Sequence, residues 1–429
     1  MSRIDELLNS AEMARAFTIA VLASVFSSLA IARMTSPVTL GTIVTVLCVL
    51  GAAILWVRRA ELSLLRIAPT SLLFFMVWAL ISLVWTTDKG DTLSGWLLLF
   101  GYAFLAVAVG HLRDTLQTVR ALGDTLRVLL LISLGLEIMS GVLLDVPFAF
   151  LGIEGDLALG GPIQGIFGSR NMLGFVAVVA IITFAIEWRS QSLEARIAVP
   201  SIALAGMLAV LSASPTVLVL AFVVGVVTLA LTIVRHTPAH RRVAVQWALG
   251  VLVTIALATA LLLRHRIIAL MDAGSDFSIR ADLWNTILDI VAIRPLTGWG
   301  WFGSWAAGEY PFTYINFLLS DSHRSALNAY FDTLLQLGAA GLVLILLLGG
   351  IAAVRSWLVA SVRRSVVYAW TPLMLVTLAV ESMFESFALV GPGWFLLVLC
   401  ALRAGQSRSW RENIDAAQTG FVPTLRTEP

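Results

Sequence analysis

Three polar residues set in apolar sequence could together perform phosphate and proton chemistry: Arg170, Arg280 and His323. Arg280 lies in Ser278–Ile293, whose spacing predicts a helix with Ser278 as N-cap and Pro295 just past its end. At about 100° per residue, Asp282, Asn285 and Asp289 form a polar face. Arg280 falls on the opposite arc, in line with Trp284, Ile287 and Val291, and is expected to point with the buried side chains. A buried guanidinium needs an anion, because an unpaired charge away from water is costly. A carboxylate such as Glu309, Asp321, Glu381 or Glu385 would serve. So would a phosphate, which matches the fixed fork of arginine donors.

His323 sits in Asp321-Ser322-His323-Arg324-Ser325 and is expected on a helical stripe with Leu327, Tyr330 and Leu334. Histidine titrates near neutral pH and suits a general base. The alternative is an interfacial histidine that caps a helix. Arg170-Asn171 opens an apolar stretch after a Gly-rich segment. Arg170 reads either as an anion contact or as an arginine snorkelling from a span end. Glu385 could orient His323 or pair with Arg324. Trp299, Trp301 and Trp305 could stack on sugars or belong to an interfacial aromatic belt.

The elements that must position these residues are membrane helices. Of 429 residues, 59% are hydrophobic and 13% charged, a balance foreign to soluble domains. The net charge of +2 gives no general basic surface for nucleic acid. Cys48 and Cys400 lie in separate apolar runs and suggest packing, not a disulfide or metal site. A bilayer core about 30 Å thick needs roughly 20 apolar residues per helix. On that length the sequence parses into twelve spans, near residues 16–32, 38–57, 67–85, 93–110, 122–143, 172–188, 197–211, 216–234, 246–263, 326–350, 366–384 and 388–403. The fold class is therefore all-α and polytopic. The first helix lacks a small-residue cleavage site and is expected to be kept.

Loop charge gives an independent orientation. Arginines crowd the loops on the side of the N-terminus, among them Arg58, Arg59, Arg120, Arg241, Arg242, Arg363 and Arg364. The opposite side keeps Arg33, Lys89, Arg170, Arg264, Arg266, Arg280, Arg294 and Arg324. Both termini are thus expected in the cytoplasm, and the outer arginines need a reason to be there. The chain divides into helices over 1–263, an outer segment over 264–325, helices over 326–404 and a polar cytoplasmic tail over 405–429. No Asp-x-Asp pair on the outer side, P-loop, dinucleotide fingerprint or Gly-x-Ser-x-Gly elbow is present, so an enzyme here is expected to work without metal, cofactor or activated nucleotide.

Four stretches of the sequence carry a family resemblance. Ser278-Ile279-Arg280-Ala281-Asp282-Leu283-Trp284 followed by Arg294-Pro295-Leu296-Thr297-Gly298-Trp299-Gly300 is similar to the Arg-x-x-x-Trp helix and Pro-Leu-x-Gly-x-Gly turn of the bacterial O-antigen ligase and polysaccharide polymerase superfamily, which includes exopolysaccharide-production membrane proteins. Ser322-His323, Leu327-Asn328-Ala329-Tyr330 and Leu337-Gly338-Ala339-Ala340-Gly341 resemble its His-Asn-x-x-Leu segment and the Gly-containing span that follows. Phe167-Gly168-Ser169-Arg170-Asn171 resembles its loop before the sixth span, and Trp85-Thr86-Thr87-Asp88 its Trp-Ser motif. Two positions depart. Arg324 stands where relatives place Asn, and Ser212-Ala213-Ser214-Pro215-Thr216 has Pro215 in place of a cation.

The resemblance implies a metal-independent, inverting transferase in the bacterial inner membrane, acting on its periplasmic side on saccharide linked to undecaprenyl diphosphate. It implies His323 and Arg280 as catalytic residues, with Arg170, Asn171, Arg324, Trp284, Asn328 and Glu385 holding the diphosphate or substrate. Its partners are the lipid-linked oligosaccharide, a saccharide acceptor and the bilayer, and it admits polysaccharide-export or chain-length-control proteins. Polymerisation of exopolysaccharide or O-antigen repeat units is the leading reading. A ligase moving a finished glycan to lipid A-core or another acceptor is the near alternative. From another class, a transporter or lipid flippase would place charges at the bilayer midplane and show repeated halves.

Overall fold

The computed structural model describes residues 3–59, 67–263, 276–306 and 308–418. Among them no β-strand forms beyond an isolated bridge between Phe148 and Ile153. The helices run α1 (Arg3–Leu8), α2 (Ala11–Phe26), α3 (Ser28–Met34), α4 (Pro37–Val57), α5 (Thr70–Ile81), α6 (Lys89–Leu112), α7 (Thr115–Ile138), α8 (Arg170–Arg189), α9 (Ala195–Leu211), α10 (Pro215–His236), α11 (Ala239–Leu262), α12 (Asp276–Val291), α13 (Phe312–Leu319), α14 (Ala329–Val362), α15 (Trp370–Glu381) and α16 (Gly391–Gln418). Residues 405–418, expected as part of a polar tail, continue α16. Arg264, His265 and Arg266 of the outer segment, Arg66, and the tail from 419 onward lie outside the described residues.

By length and apolarity, six described helices can cross a bilayer: α4, α6, α7 with its extension to Leu144, α8, α10 and α14. A seventh follows if α2 and α3, bent by 67°, form one span. Twelve crossings would require α5, α9, α11, α15 and α16 to traverse as well. Helix α8 is the bundle's axis. Within its apolar window 72% of residues are buried, against 22% for α10, so α8 packs against protein where α10 presents a lipid-compatible face. The first turn of α8, with Arg170 and Asn171, therefore opens at the centre of one end of the bundle.

That end is organised by backbone contacts that two glycines permit. Helix α14 breaks at Gly338, whose φ of 67° lies in the left-handed region. The break frees the carbonyls of Leu335 and Gln336 to accept from the N–H groups of Trp299 (3.1 Å) and Gly300 (2.8 Å), while Ala339 N–H donates to the Pro295 carbonyl at 2.8 Å. A Cβ on Gly338 would sit 2.3 Å from the Leu296 backbone, and one on Gly298 2.6 Å from that of Gln336. The two family-like motifs thus form one interlock. Arg294 closes it by donating to the Trp85 carbonyl at 3.2 Å and lying over Trp299. Gly338→Ala is expected to cost at least about 2 kcal/mol from left-handed strain and clash. A thermal melt of the detergent-solubilised protein checks this. Gly350→Ala, which meets nothing within 4 Å, should leave the midpoint unchanged or raised.

At the other end, arginines satisfy carbonyls released at helix ends: Arg58 bonds Asn9, Arg235 bonds Arg363 to Ser365, and Arg403 bonds Arg113.

Candidate active site

The helix carrying Arg280 begins at Asp276 and ends at Val291, starting and ending two residues before the sequence-predicted bounds. Leu283, Ile287, Ile290 and Val291 are buried, and Arg280 points inward with them, its side chain 18% exposed. Nη1 donates to the Leu327 carbonyl at 3.1 Å and to that of Phe384, and Nη2 reaches Glu385 Oε1 at 3.3 Å. Of the anions the sequence left open, a carboxylate occupies Arg280 in this structure.

Glu385 Oε1 also accepts from Asn171 Nδ2 at 2.6 Å. Glu385 thus joins α12 to the first turn of α8, and pairs with Arg280 and Asn171 where the sequence suggested His323 or Arg324. The short turn between α15 and α16 delivers it there. Burial pushes its carboxyl up from the usual range, and Arg280 and Asn171 pull it back down. Asn171 Oδ1 accepts from Ser214 Oγ at 2.7 Å, and Ser214 shares a hydrogen bond with Thr216 at 2.8 Å. The Ser-Pro-Thr turn that lacks a cation therefore enters the cluster through its hydroxyls. Arg170 lies half-buried one residue before Asn171, at the first helical position after the Ser169 N-cap.

Residues 323–328 form the other wall. The chain is extended or turning here, with α14 starting only at Ala329, so His323 stands in a loop and not on the helical stripe with Tyr330 and Leu334. Asn328 caps α14 by accepting from Tyr330 and Phe331 N–H at 2.9 and 3.2 Å, which is why the helix begins there. Its amide donates to the Met383 carbonyl at 3.0 Å. Trp284 Nε1 donates to the Ala326 carbonyl at 2.9 Å, and its ring stacks on Phe331. Asp332, buried in the first turn of α14, accepts from Trp305 Nε1 at 2.8 Å and from Ala326 N–H at 3.4 Å. Leu327, held at φ 49° between these anchors, offers its carbonyl to Arg280.

His323 is pinned separately. Asn316 accepts from its N–H at 2.9 Å and donates to its carbonyl at 3.0 Å. The ring, with the side chain 9% exposed, approaches Asp321 Oδ2 at 3.4 Å through Nε2, which has no hydrogen-bond partner among the described residues. Three residues separate it from Leu327, the residue bonded to Arg280. Arg324 gives its carbonyl to Trp305 N–H at 3.0 Å and is exposed.

The structure thus brings Arg280, Asn171, Glu385, Trp284 and Asn328 into one bonded assembly, places Arg170 beside it, and sets His323 and Arg324 on its adjoining loop. Trp299, Trp301 and Trp305 are 6%, 0% and 4% exposed. They pack inside the protein, neither presented for stacking nor placed in a lipid-facing belt. Ser214, Asn316 and Asp332 were missed in sequence, and Glu381 was named there only as a candidate partner for Arg280. Only Ser214 carried a signal, through the turn motif. Glu381 is 1% exposed, and neither carboxyl oxygen has a hydrogen-bond partner among the described residues. Among those residues, no group of three or more His, Cys, Asp or Glu is placed to hold a metal ion.

No curated protein matches the chain. Residues 200–346, which contain Ser214, Arg280, Trp284, His323, Arg324 and Asn328, match the family model described as O-antigen ligase. Over that third of the chain, this membrane protein is similar to the O-antigen ligase family.

Proposed function

We propose that the protein is an inverting membrane glycosyltransferase that takes saccharide from an undecaprenyl-diphosphate-linked donor and extends an exopolysaccharide or O-antigen chain. The observation that carries this reading is the inward Arg280, held among Asn171, Glu385 and the 323–328 loop inside the segment that matches the O-antigen ligase family. Arg280 and Arg170 hold the diphosphate, whose oxygens replace Glu385 on the guanidinium fork. His323 takes the acceptor hydroxyl's proton. The acceptor oxygen then forms the new glycosidic bond while the anomeric carbon–phosphate oxygen bond breaks, and its electron pair leaves with the diphosphate. Asn171, Asn328 and Trp284 position the two walls, and Arg324 faces the acceptor from the loop.

The lipid has a place to lie. An apolar groove of about 610 Å³ runs along α4 and α6 and is closed by Trp301–Ser304 and Leu389–Trp394, the latter shortly after Glu385 in the chain. In this reading the chain crosses twelve times with both termini in the cytoplasm, and the 264–325 segment faces the periplasm. A ligase acting on lipid A-core uses the same donor chemistry and differs in its acceptor. A flippase would move the lipid without breaking the anomeric bond.

Purified protein incubated with lipid-linked oligosaccharide tests the reading. Longer or transferred glycans are expected, and intact donor carried across the bilayer would favour the flippase. Because arginines supply the charge that stabilises the leaving group, activity is expected to persist in EDTA. A strict requirement for added Mg²⁺ or Mn²⁺ would contradict this.

A further inference from the structure

We infer that Glu381 is a saccharide-recognition residue, accepting hydrogen bonds from hydroxyls of the donor's first sugar. The inference rests on the proposed lipid-diphosphate donor. Glu381 ends α15, and the Glu385 N–H donates to its carbonyl at 2.9 Å, so the two carboxyls stand one turn apart. Arg280 binds between them in sequence, on the Phe384 carbonyl. Glu385 is engaged through Oε1, which accepts from both Arg280 and Asn171. Glu381 is equally deep, yet both its oxygens are without a partner among the described residues.

Leaving buried acceptors unsatisfied is costly, and proteins retain such groups where a ligand completes them. The missing donors can be narrowed chemically. Glu385 already occupies the Arg280 guanidinium beside this turn, so a further anion is disfavoured at Glu381. Neighbouring sugar hydroxyls are neutral donors at a spacing that a carboxyl can meet with both oxygens. Their position also agrees, since the first sugar is one bond from the phosphate that Arg280 would hold. When the diphosphate takes Arg280 from Glu385, the turn bearing both carboxyls is released to admit the ring. Glu381 then reads the sugar while Arg280 reads the phosphate.

The test is equilibrium binding to the full chain in nanodiscs. The probes are bare undecaprenyl diphosphate and the same lipid carrying one N-acetylglucosamine, one glucose or one galactose. Wild-type protein should bind at least one saccharide lipid about 10- to 100-fold more tightly than the bare lipid, the worth of hydrogen bonds to a carboxylate. Glu381→Ala should bind all four at the bare-lipid affinity. The near-isosteric Glu381→Gln, which keeps one acceptor oxygen, should retain only part of the preference. Retention of the full saccharide advantage by either variant would overturn the inference, as would a wild type that binds every lipid equally. Wild-type protein that binds none of the four would instead count against the lipid-diphosphate reading itself.

Discussion

Replacing Arg280 by alanine is expected to lower kcat/KM for glycan transfer at least about 10³-fold, the loss typical of removing a principal electrostatic contact to a leaving group. The same change strands Glu385, whose side chain is 9% exposed and whose cationic partner is Arg280. An uncompensated buried charge costs about 3–5 kcal/mol, so the single variant also tests folding. The double variant Arg280→Ala, Glu385→Gln separates the effects. With the stranded charge gone, stability should return while activity does not. Arg280→Lys keeps the charge but not the fork that reaches Leu327, Phe384 and Glu385 together, and should recover only part of the activity. A double variant that is stable and active would remove Arg280 from the chemistry.

Replacing His323 by alanine should lower kcat by about 10²- to 10⁴-fold, the range for loss of a positioned general base. Little effect on folding is expected. The structure holds the His323 backbone through Asn316, which alanine at 323 leaves intact, and the ring makes only a long approach to Asp321. Imidazole added to the His323→Ala enzyme should restore part of the rate without changing donor affinity. A variant with wild-type kcat would assign proton transfer elsewhere in the cluster. Asp321 approaches the ring and Arg324 follows it in the chain, so substitutions there should alter KM for the acceptor more than for the donor.

The inward direction of Arg280 was legible because helical periodicity is local and needs only the residues between 278 and 293. Its partner was not. Glu385 lies 105 residues further along, and nothing in local spacing chooses it over Glu309, Asp321 or Glu381. The glycine turns at 298 and 338 were visible as a pattern, whereas their meaning, a helix broken so that another segment can bond to its carbonyls, exists only in three dimensions. His323 was placed on a helix because the apolar spacing runs on past the true start. Asn328 stops the helix by capping it, and a cap competes with periodicity on equal terms in sequence. The tryptophans after Thr297 show the same limit. Composition identifies aromatic residues near a membrane surface without saying whether protein or lipid surrounds them.

In the proposed mechanism Arg280 exchanges an internal carboxylate for the diphosphate of a lipid-linked saccharide. The most direct measurement is a cryo-electron microscopy structure of the chain in nanodiscs with a non-transferable undecaprenyl-diphosphate saccharide. Phosphate oxygens within about 3 Å of the Arg280 guanidinium, with Glu385 displaced from it, are the predicted result. An intact Arg280–Glu385 pair with the diphosphate bound elsewhere, for instance among Arg15, Arg113 and Arg120 at the opposite end of the bundle, would contradict it.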